Sequence, residues 1–299
     1  MDLQYMAERL SALGCRVRLR EPMADHTSFR IGGPADLFVI TGDVEQTLRV
    51  LCLCEEEDVP ILILGNGSNL LVSDDGIAGV VLQQEALPPV TTGTTITASA
   101  GMSLKKLCLH ARDNGLSGLE FAYGIPGTVG GAVYMNAGAY GGEMAHVVSS
   151  ATVLLADGTV KRLSAEELAF GYRHSLLMEQ PWTVVSVEVS LQPEESVTIR
   201  ARMDEILSRR REKQPLEYPS GGSFFKRPEG HFAGALIEAC DLKGYTVGGA
   251  QVSEKHAGFV INRGGATCAD VMTLCRYVQE TVQERFGVML EREVQLVGR

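Results

Sequence analysis

The chain has 299 residues, of which 45% are apolar and 21% charged, and its formal net charge is −10 at pH 7. Its length exceeds one typical hydrophobic core, so we expect more than one domain. The acidic charge argues against nucleic-acid binding. The longest apolar runs, such as residues 61–64, fall far below the ~18 residues of a membrane-spanning helix. The sequence points to no membrane insertion and shows no sign of an obligate protein partner.

The first predicted elements alternate between helix and strand. The N-terminal segment MDLQYMAERLSALG mixes acidic and basic residues and predicts an amphipathic helix, not a signal peptide. Periodicity then predicts a strand at 36–40, a helix at 43–57 and a buried strand at 59–64, and after a short loop two strands at 70–73 and 77–83.

The loop between the strands is Gly65-Asn66-Gly67-Ser68-Asn69. It is not a dinucleotide fingerprint, which needs G-x-G-x-x-G between a strand and a helix, because Leu70 occupies the third glycine position and a strand follows. Consecutive backbone N–H groups can still form a concave phosphate site. A plain turn is the alternative interpretation.

The densest glycine segment follows a predicted threonine-rich strand at 91–100 and a helix at 103–114 that ends at Gly115. Residues 118–142 hold eight glycines in 25 positions and one charge, Glu120. Phe121, Tyr123, Tyr134 and Tyr140 are interleaved with them. Glycine at this density is typical of backbone that approaches a ligand closely. Flat aromatic rings beside bare N–H groups favour a ligand with a planar ring and a phosphate, which is a nucleotide cofactor.

The remaining elements complete an α+β protein. Strands are predicted at 147–155, 158–163 and 182–191, with a short capped helix at 164–168. A composition change near Pro193 precedes a charged helix at 196–213, which we take as the start of a second unit. That unit is predicted to hold a loop at 218–228, a helix at 233–242, strands at 251–252 and 259–262, a helix at 268–286 and a final strand at 288–297.

The seven cysteines (15, 52, 54, 108, 240, 268 and 275) are an odd number, and no pair has zinc-ligand spacing. Free, buried thiols in a reducing cytoplasm are therefore the better interpretation. The scattered histidines show no metal spacing either, and we expect no metal site.

Seven motifs, in order, carry a specific resemblance. They are His26-Thr27-Ser28-Phe29, Gly65-Asn66-Gly67-Ser68-Asn69, Ile125-Pro126-Gly127-Thr128-Val129-Gly130-Gly131, Asn136-Ala137-Gly138-Ala139, Tyr172-Arg173-His174-Ser175, Gly222-Ser223-Phe224-Phe225-Lys226 and Leu290-Glu291-Arg292-Glu293-Val294. From about residue 16 to residue 298, the chain resembles the UDP-N-acetylenolpyruvoylglucosamine reductases (UDP-N-acetylmuramate dehydrogenases), flavoenzymes of bacterial cell-wall synthesis.

The resemblance implies both fold and cofactor. It implies an FAD-binding region of the vanillyl-alcohol-oxidase (PCMH) type at 1–195, with subdomains at about 16–80 and 81–195, and an α/β substrate-binding domain at 196–299. It also implies non-covalent FAD, with NADPH as co-substrate. By motif match the cofactor contacts are Gly65, Asn66, Gly67, Ser68, Asn69, Ile125, Pro126, Gly127, Thr128, Gly130, Gly131, Asn136, Ala137 and Gly138.

The reaction that the resemblance implies is reduction of the enolpyruvyl ether of a UDP-sugar. Hydride reaches the terminal CH₂ carbon, and the carbon beside the carboxylate gains a proton. By motif match Ser223 donates that proton, and Arg173 and Glu293 stabilise the enolate. Without the match, purely structural interpretations would be favoured. Ser223 would be a turn residue, Arg173 a surface residue, and Glu293 a residue on the solvated face of an alternating strand.

The chain departs from part of the family between residues 212 and 230. Some members carry an insertion with a tyrosine that closes over the sugar nucleotide, whereas this chain runs directly to the serine loop. It resembles the compact form, so the residues that cover the substrate are not given by the match. Lys226, Arg227 and Gln251 are candidate substrate contacts.

Two alternative functions remain open. One is another flavoenzyme on the same scaffold, such as an oxidase, although many of those tether the flavin through His or Cys and neither residue occurs in 65–69 or 125–131. The other is a non-catalytic nucleotide-binding module, against which Ser223 and Glu293 in their full motifs argue.

Overall fold

The protein, described here from a computed structural model covering residues 2–299, is built from helices and strands in comparable measure. The helices are α1 (Leu3–Ala12), α2 (Val44–Glu56), α3 (Leu104–Asp113), α4 (Val129–Tyr134), α5 (Ser196–Lys213), α6 (Ala233–Ala239) and α7 (Cys268–Phe286). The strands are β1 (Arg16–Pro22), β2 (Pro34–Thr41), β3 (Ile61–Leu64), β4 (Leu70–Val72), β5 (Ile77–Gln84), β6 (Val90–Thr92), β7 (Thr95–Ser99), β8 (Leu116–Ser117), β9 (Gly138–Ala139), β10 (Gly142–Glu143), β11 (Val148–Leu154), β12 (Val160–Ser164), β13 (Thr183–Ser190), β14 (Gln192–Pro193), β15 (Ser220–Ser223), β16 (Thr246–Val247), β17 (Ala250–Val252), β18 (Phe259–Asn262) and β19 (Gln295–Val297). The predicted α+β class is confirmed.

The chain divides into two compact units. The first comprises the residues up to 19, 37–66 and 79–209, and the second comprises 20–36, 67–78 and 210–299. Helix α5 begins at the residue where the sequence predicts the second domain to start, and its residues up to Arg209 belong to the first unit. The predicted division into cofactor and substrate domains stays a prediction.

The first unit contains two larger sheets. Strands β12-β11-β13-β7-β6 form an antiparallel sheet. Helices α3 and α4 contribute to the same core, in which Leu104, Leu107 and Val133 are fully buried. The other sheet has the order β1-β2-β5-β3, and most of its residues belong to this unit. Leu10 of α1 and Val50 of α2 are buried in its core.

The second unit is built on the antiparallel sheet β15-β18-β17-β16, with α6 and α7 contributing to its core. Phe29 and Phe224 pack edge to face in this core, with ring centroids 6.3 Å apart. Strand β19 pairs in parallel with β4, so that Gln295 lies opposite Leu70. The ladder partner of β4 is therefore a segment near the far end of the sequence, and not the preceding strand β3.

Several predicted element boundaries are confirmed by their caps. Thr267 and Asp270 form a reciprocal capping box at the start of α7, and Gly287 ends this helix in the left-handed conformation at φ +69°. Ser103 caps α3, and Gly115 follows the helix at φ +65°. Such a cap can be predicted from sequence, because its side-chain oxygen accepts from an N–H in the first turn of the same helix and needs no distant partner.

Three predicted elements differ. The predicted strand at 91–100 is the hairpin β6–β7, with Gly93 in its turn at φ +60°. The predicted helix at 164–168 stops after one turn, although Ser164 and Glu167 do exchange the capping-box hydrogen bonds, because Ala169 turns left-handed at φ +45°. Of the predicted final strand 288–297, only β19 is extended in a sheet.

Several elements were not predicted, among them strand β1, and two of them bear on the predicted site. Helix α4 forms inside the glycine segment, where low helix propensity argued against it; Thr128 caps it, and Gly130 packs so closely that a Cβ there would lie 2.8 Å from Ala100 Cβ. Strand β15 (Ser220–Ser223) forms within the predicted loop at 218–228. In both cases tertiary packing overrides local preference.

Candidate active site

Ser223 is exposed at the end of β15, next to the buried Phe224. The register of β15 on β18 shifts between Ser220 and Ser223, and Gly222 has a φ of +84°. The backbone N–H of Phe224 donates to the carbonyl oxygen of Gly258 at 2.8 Å. A bulged edge strand with a left-handed glycine re-aims the residue that follows it. The serine is thus presented on a fixed backbone and not on a mobile turn.

Glu293 is joined to this segment through its backbone. Its N–H donates to the carbonyl oxygen of Phe224 at 2.9 Å, so the structure brings the Ser223 and Glu293 motifs together in the second unit. Glu293 is half-buried and precedes β19, so the solvated strand face that its alternation suggested does not form.

Asn69 holds Glu293 from the other side. Its side-chain amide donates to the carbonyl oxygen of Glu293 at 3.1 Å, and its own carbonyl oxygen accepts from the N–H of Gln295 at 3.0 Å. The sequence predicts Asn69 as a cofactor contact and gives no sign of this link. No local signal could have shown it, because the two residues are far apart in the chain.

The predicted substrate contacts of the second unit already have protein partners. Lys226 forms an ion pair with Glu291, Nζ to Oε2 at 3.2 Å. The guanidinium carbon of Arg227 lies 4.0 Å from the ring centroid of the exposed Phe232. Gln251 donates through Nε2 to the Gly244 carbonyl oxygen. Lys226 and Arg227 follow Ser223 closely in sequence, whereas Gln251 lies on β17.

The rest of the predicted phosphate loop in this unit is tightly built. Gly67 has a φ of +56°, and its carbonyl oxygen accepts from the N–H of Ser28 at 3.2 Å. A Cβ on Gly67 would collide with the carbonyl oxygen of His26. Glycine is therefore required here by the protein itself, whatever the loop binds, and a Gly67→Val variant would damage the fold as well as any cofactor site.

In the first unit, the start of that loop lies beside the Ile125–Gly131 motif. Asn66 Nδ2 donates to the carbonyl oxygen of Pro126 at 3.3 Å. A Cβ on Gly65 would lie 2.5 Å from Thr128 Oγ1. Asn66, Pro126 and Gly131 are exposed, and the structure brings these two predicted cofactor segments together. Bare, neutral backbone of this kind suits a ligand with a diphosphate and a flat ring.

Arg173 lies in a tight turn of the first unit. Gly171 and His174 exchange backbone hydrogen bonds at 3.0 and 3.2 Å, and Arg173 between them has a φ of +54°. The guanidinium donates through Nη2 to the carbonyl oxygen of Gly138 at 3.1 Å. Gly138 is itself a predicted cofactor contact, so Arg173 lies against the third glycine-containing motif.

Asn136, another predicted cofactor contact, is only 1% exposed. Its Oδ1 accepts from the N–H of Ala145 and its Nδ2 donates to the carbonyl oxygen of Gly171, both at 2.9 Å. Ala137 is partly buried against the same core. The amide of Asn136 is thus occupied by backbone groups of two other segments.

In the first unit, the pKa of the Glu120 carboxyl is shifted by opposing effects. Burial raises the pKa of the Glu120 carboxyl, but hydrogen bonds from its own N–H, the Arg202 guanidinium and the Gly118 N–H together lower it below the usual value. The carboxylate of Glu120, 8% exposed, therefore stays charged inside the first unit.

Burial makes several of the cysteine thiols harder to ionise. All seven are free thiols, and burial raises the pKa of Cys54 to about 12 and of Cys275 to about 11. Residues 2–299 include no group of three or more acidic, histidine or cysteine side chains arranged to hold a metal ion, and no helix in that range is long and apolar enough to cross a membrane.

Comparison with known proteins identifies the family. Residues 214–297 match the C-terminal domain of UDP-N-acetylenolpyruvoylglucosamine reductase, and residues 35–164 match an FAD binding domain. The chain is 51% identical over 284 residues to UDP-N-acetylenolpyruvoylglucosamine reductase from Clostridium perfringens, covering 95% of this chain and 93% of the relative. It belongs to the UDP-N-acetylenolpyruvoylglucosamine reductase family.

Two further relatives agree. The reductase from Listeria monocytogenes serotype 4b is 50% identical over 283 residues, covering 94% of this chain and 95% of the relative. The crystal structure of UDP-N-acetylenolpyruvylglucosamine reductase from Thermus caldophilus aligns with a TM-score of 0.79 at 36% identity, covering 94% of this chain and 98% of that one. The predicted family and the FAD cofactor are confirmed. The individual site residues stay predictions.

Proposed function

We propose that this member of the UDP-N-acetylenolpyruvoylglucosamine reductase family reduces the enolpyruvyl ether of UDP-N-acetylglucosamine enolpyruvate to UDP-N-acetylmuramate, with NADPH as reductant. The sequence identity over 95% of the chain supports the substrate and the reaction. The structural observation that carries the proposal is the junction of Ser223 and Glu293 through the Phe224 carbonyl oxygen. This junction places an exposed hydroxyl and a carboxyl group on neighbouring backbone segments.

The cofactor region of the proposal is residues 1–195, and the substrate domain is residues 196–299. FAD held by this region would supply the hydride-transfer chemistry between NADPH and the substrate. The exposed positions Pro126 and Gly131, next to Gly65, support a diphosphate or ring contact there. Gly67, Ser68 and Asn69 extend the same loop.

The second half-reaction, reduction of the enolpyruvyl substrate, determines what the side chains must do. Addition of hydride to the terminal CH₂ carbon leaves an enolate conjugated to the carboxylate, and protonation of the adjacent carbon completes a two-electron reduction. Ser223 delivers that proton in our proposal, and its exposure supports access to a substrate carbon. A serine hydroxyl is a weak acid, so the proton transfer must accompany strong basicity developing on the substrate carbon.

Arg173 and Glu293 stabilise the enolate in our proposal. The guanidinium carries a fixed positive charge for the two oxygens, and removing one such preorganised donor typically costs about 2.7–4 kcal/mol of transition-state stabilisation. Glu293 must be protonated, or held against a cation, to assist, since a bare carboxylate would repel the enolate. Lys226 and Arg227 add positive charge for the diphosphate, against the net charge of −10 of the whole chain. Gln251 is the remaining proposed substrate contact.

We also place the reaction in the cytoplasm. All seven cysteines are free thiols, which suits a reducing compartment. NADPH is available as a reductant there.

The test is the visible spectrum of the purified holoenzyme under anaerobic conditions. We expect a flavin spectrum that NADPH bleaches and that UDP-N-acetylglucosamine enolpyruvate then restores, with UDP-N-acetylmuramate as product by mass spectrometry. A bleached flavin that only oxygen reoxidises would favour the oxidase alternative. A protein without flavin, which FAD cannot reconstitute, would favour the non-catalytic alternative.

A further inference from the structure

Residues 134–138 and 171–175 of the first unit are fastened together at three alternate positions of the second segment. We refer to these two segments as the Arg173 clamp. The hydrogen bonds run from Asn136 Nδ2 to the Gly171 carbonyl oxygen at 2.9 Å, from Arg173 Nη2 to the Gly138 carbonyl oxygen at 3.1 Å, and from Ser175 Oγ to the Tyr134 carbonyl oxygen at 2.7 Å. The turn that carries Arg173 is therefore held before, at and after the arginine.

Asn136 is suited to this position in three ways. Its φ of +43° is a left-handed conformation in which asparagine is several-fold enriched among non-glycine residues. Its amide offers one donor group to Gly171 and one acceptor to Ala145, and it is 1% exposed. A buried amide with both ends engaged is costly to disturb, because each partner would lose its hydrogen bond without access to water.

Ser175 makes the third attachment. The residue is fully buried at 0% exposure, and its hydroxyl donates to the Tyr134 carbonyl oxygen at 2.7 Å. Arg173, two residues earlier, has a φ of +54°, which costs free energy and persists only where the surroundings impose it. The two buried polar side chains of the Arg173 clamp supply that constraint.

We infer that Asn136 and Ser175 are positioning residues for Arg173, holding its turn so that the guanidinium is in place before negative charge develops on the substrate. The inference rests on the proposed function, in which Arg173 stabilises the enolate. Preorganised charge is effective because it needs no rearrangement at the moment of reaction. In this role the Asn136 amide acts through Arg173, and not through direct contact with FAD.

The experiment uses Asn136→Gly, because glycine accepts φ +43° without strain and only the amide contacts are lost. In the holoenzyme we expect unchanged FAD retention on ultrafiltration and an unchanged rate of flavin bleaching by NADPH. Reoxidation by UDP-N-acetylglucosamine enolpyruvate should slow by about 10–100-fold, since loss of one or two buried hydrogen bonds moves the arginine. In an Arg173→Ala background the same substitution should produce no further slowing.

Ser175→Ala provides a second variant if Asn136→Gly does not fold. Thr47→Val is its matched control, because Thr47 is a buried hydroxyl of the first unit whose partners are Thr41 and Asp43. Both variants should melt at a lower temperature, but only Ser175→Ala should slow reoxidation, and only when Arg173 is present.

The inference is overturned by loss of FAD in Asn136→Gly, by equal slowing of both half-reactions, or by the same additional slowing with and without Arg173. If the parent enzyme itself is not reoxidised by the sugar nucleotide, the proposed function fails. If the parent is reoxidised and both clamp variants keep its rate, the positioning role alone fails.

Discussion

The side-chain amide of Asn69 donates a hydrogen bond to the backbone carbonyl oxygen of Glu293 at 3.1 Å. The last residue of the predicted phosphate loop is thereby fixed to the proposed enolate-stabilising residue. Because Asn69 also accepts from the N–H of Gln295, it spans the turn that leads into β19. A change at Asn69 should therefore reach the chemistry of the second half-reaction through the backbone of Glu293.

Asn69→Ala should slow reoxidation of the reduced flavin by about tenfold, the equivalent of roughly 1.4 kcal/mol, because a hydrogen bond that orients Glu293 is lost. Bleaching by NADPH should stay within about twofold of the parent rate, since no enolate forms in that step. Stopped-flow absorbance measures both rates. Asn66→Ala is the control from the same loop, because the Asn66 side-chain amide donates to the Pro126 carbonyl oxygen and not to that of Glu293. Equal slowing of both steps in Asn69→Ala would contradict the link.

Ser223→Ala should separate the two half-reactions most sharply. Bleaching of the flavin by NADPH should keep the parent rate, while reoxidation by the enolpyruvyl substrate should slow by at least ~10²-fold for loss of a general acid. Glu293→Gln should show the same split. Reoxidation of Ser223→Ala at the parent rate would mean that water or another group supplies the proton. Slowing of both steps would mean that the serine shapes the cofactor site instead.

Gly131→Ala should weaken FAD binding more than it changes the stability of the fold. Gly131 is exposed on α4, and the nearest atom to an added Cβ is Thr128 Oγ1 at 3.3 Å. Overpacking against a ligand typically costs 1–3 kcal/mol, so we expect about 10–100-fold lower affinity by fluorescence titration of the apoprotein. The stability of the apoprotein should change by no more than about 1 kcal/mol, because the helix preference of alanine over glycine is opposed by the close contact of its Cβ with Thr128 Oγ1.

Gly130→Ala is the contrasting variant on the same helix. Gly130 is buried, and its Cβ would lie 2.8 Å from Ala100 Cβ, so the apoprotein should melt at a lower temperature. Unchanged FAD affinity in Gly131→Ala would remove Gly131 from the predicted cofactor contacts.

Glu120→Gln should reduce stability in a pH-dependent way. Hydrogen bonds hold the pKa of Glu120 below its usual value despite burial, so its contribution to the free energy of unfolding is complete above the unfolded pKa near ~4.3 and is lost as the pH falls through the folded pKa. We expect a loss of about 1–2 kcal/mol at pH 7 and a much smaller difference below about pH 4. Urea unfolding at several pH values measures this. The control is Glu194→Gln, which removes the more exposed partner of Arg202 and should cost less. A pH-independent difference would mean that charge plays no part.

The sequence predicted the features that depend on residues close together in the chain, such as helix ends and motifs. Thr267 and Gly287 marked both ends of α7, and the ordered motifs pointed to Ser223 and Glu293. It could not show that Asn136 would be buried, because burial depends on which segments pack around it. Likewise α4 forms in a glycine-rich stretch because Gly130 fits against Ala100, a residue outside the helix. Positions whose role depends on a distant partner are therefore the ones that sequence periodicity misses.

The parallel pairing of β4 with β19 also bears on how the protein is made. The two strands form a sheet of their own, so β4 has its ladder partner only after a segment near the other end of the chain has been synthesised. Non-local pairing of this kind is slow to form. Strand β4, which directly follows residues 65–69, therefore lacks its ladder partner during most of translation, because β19 is translated much later. We expect nascent chains to acquire a settled conformation of residues 65–69 only late in synthesis, and to depend on protection from aggregation until then.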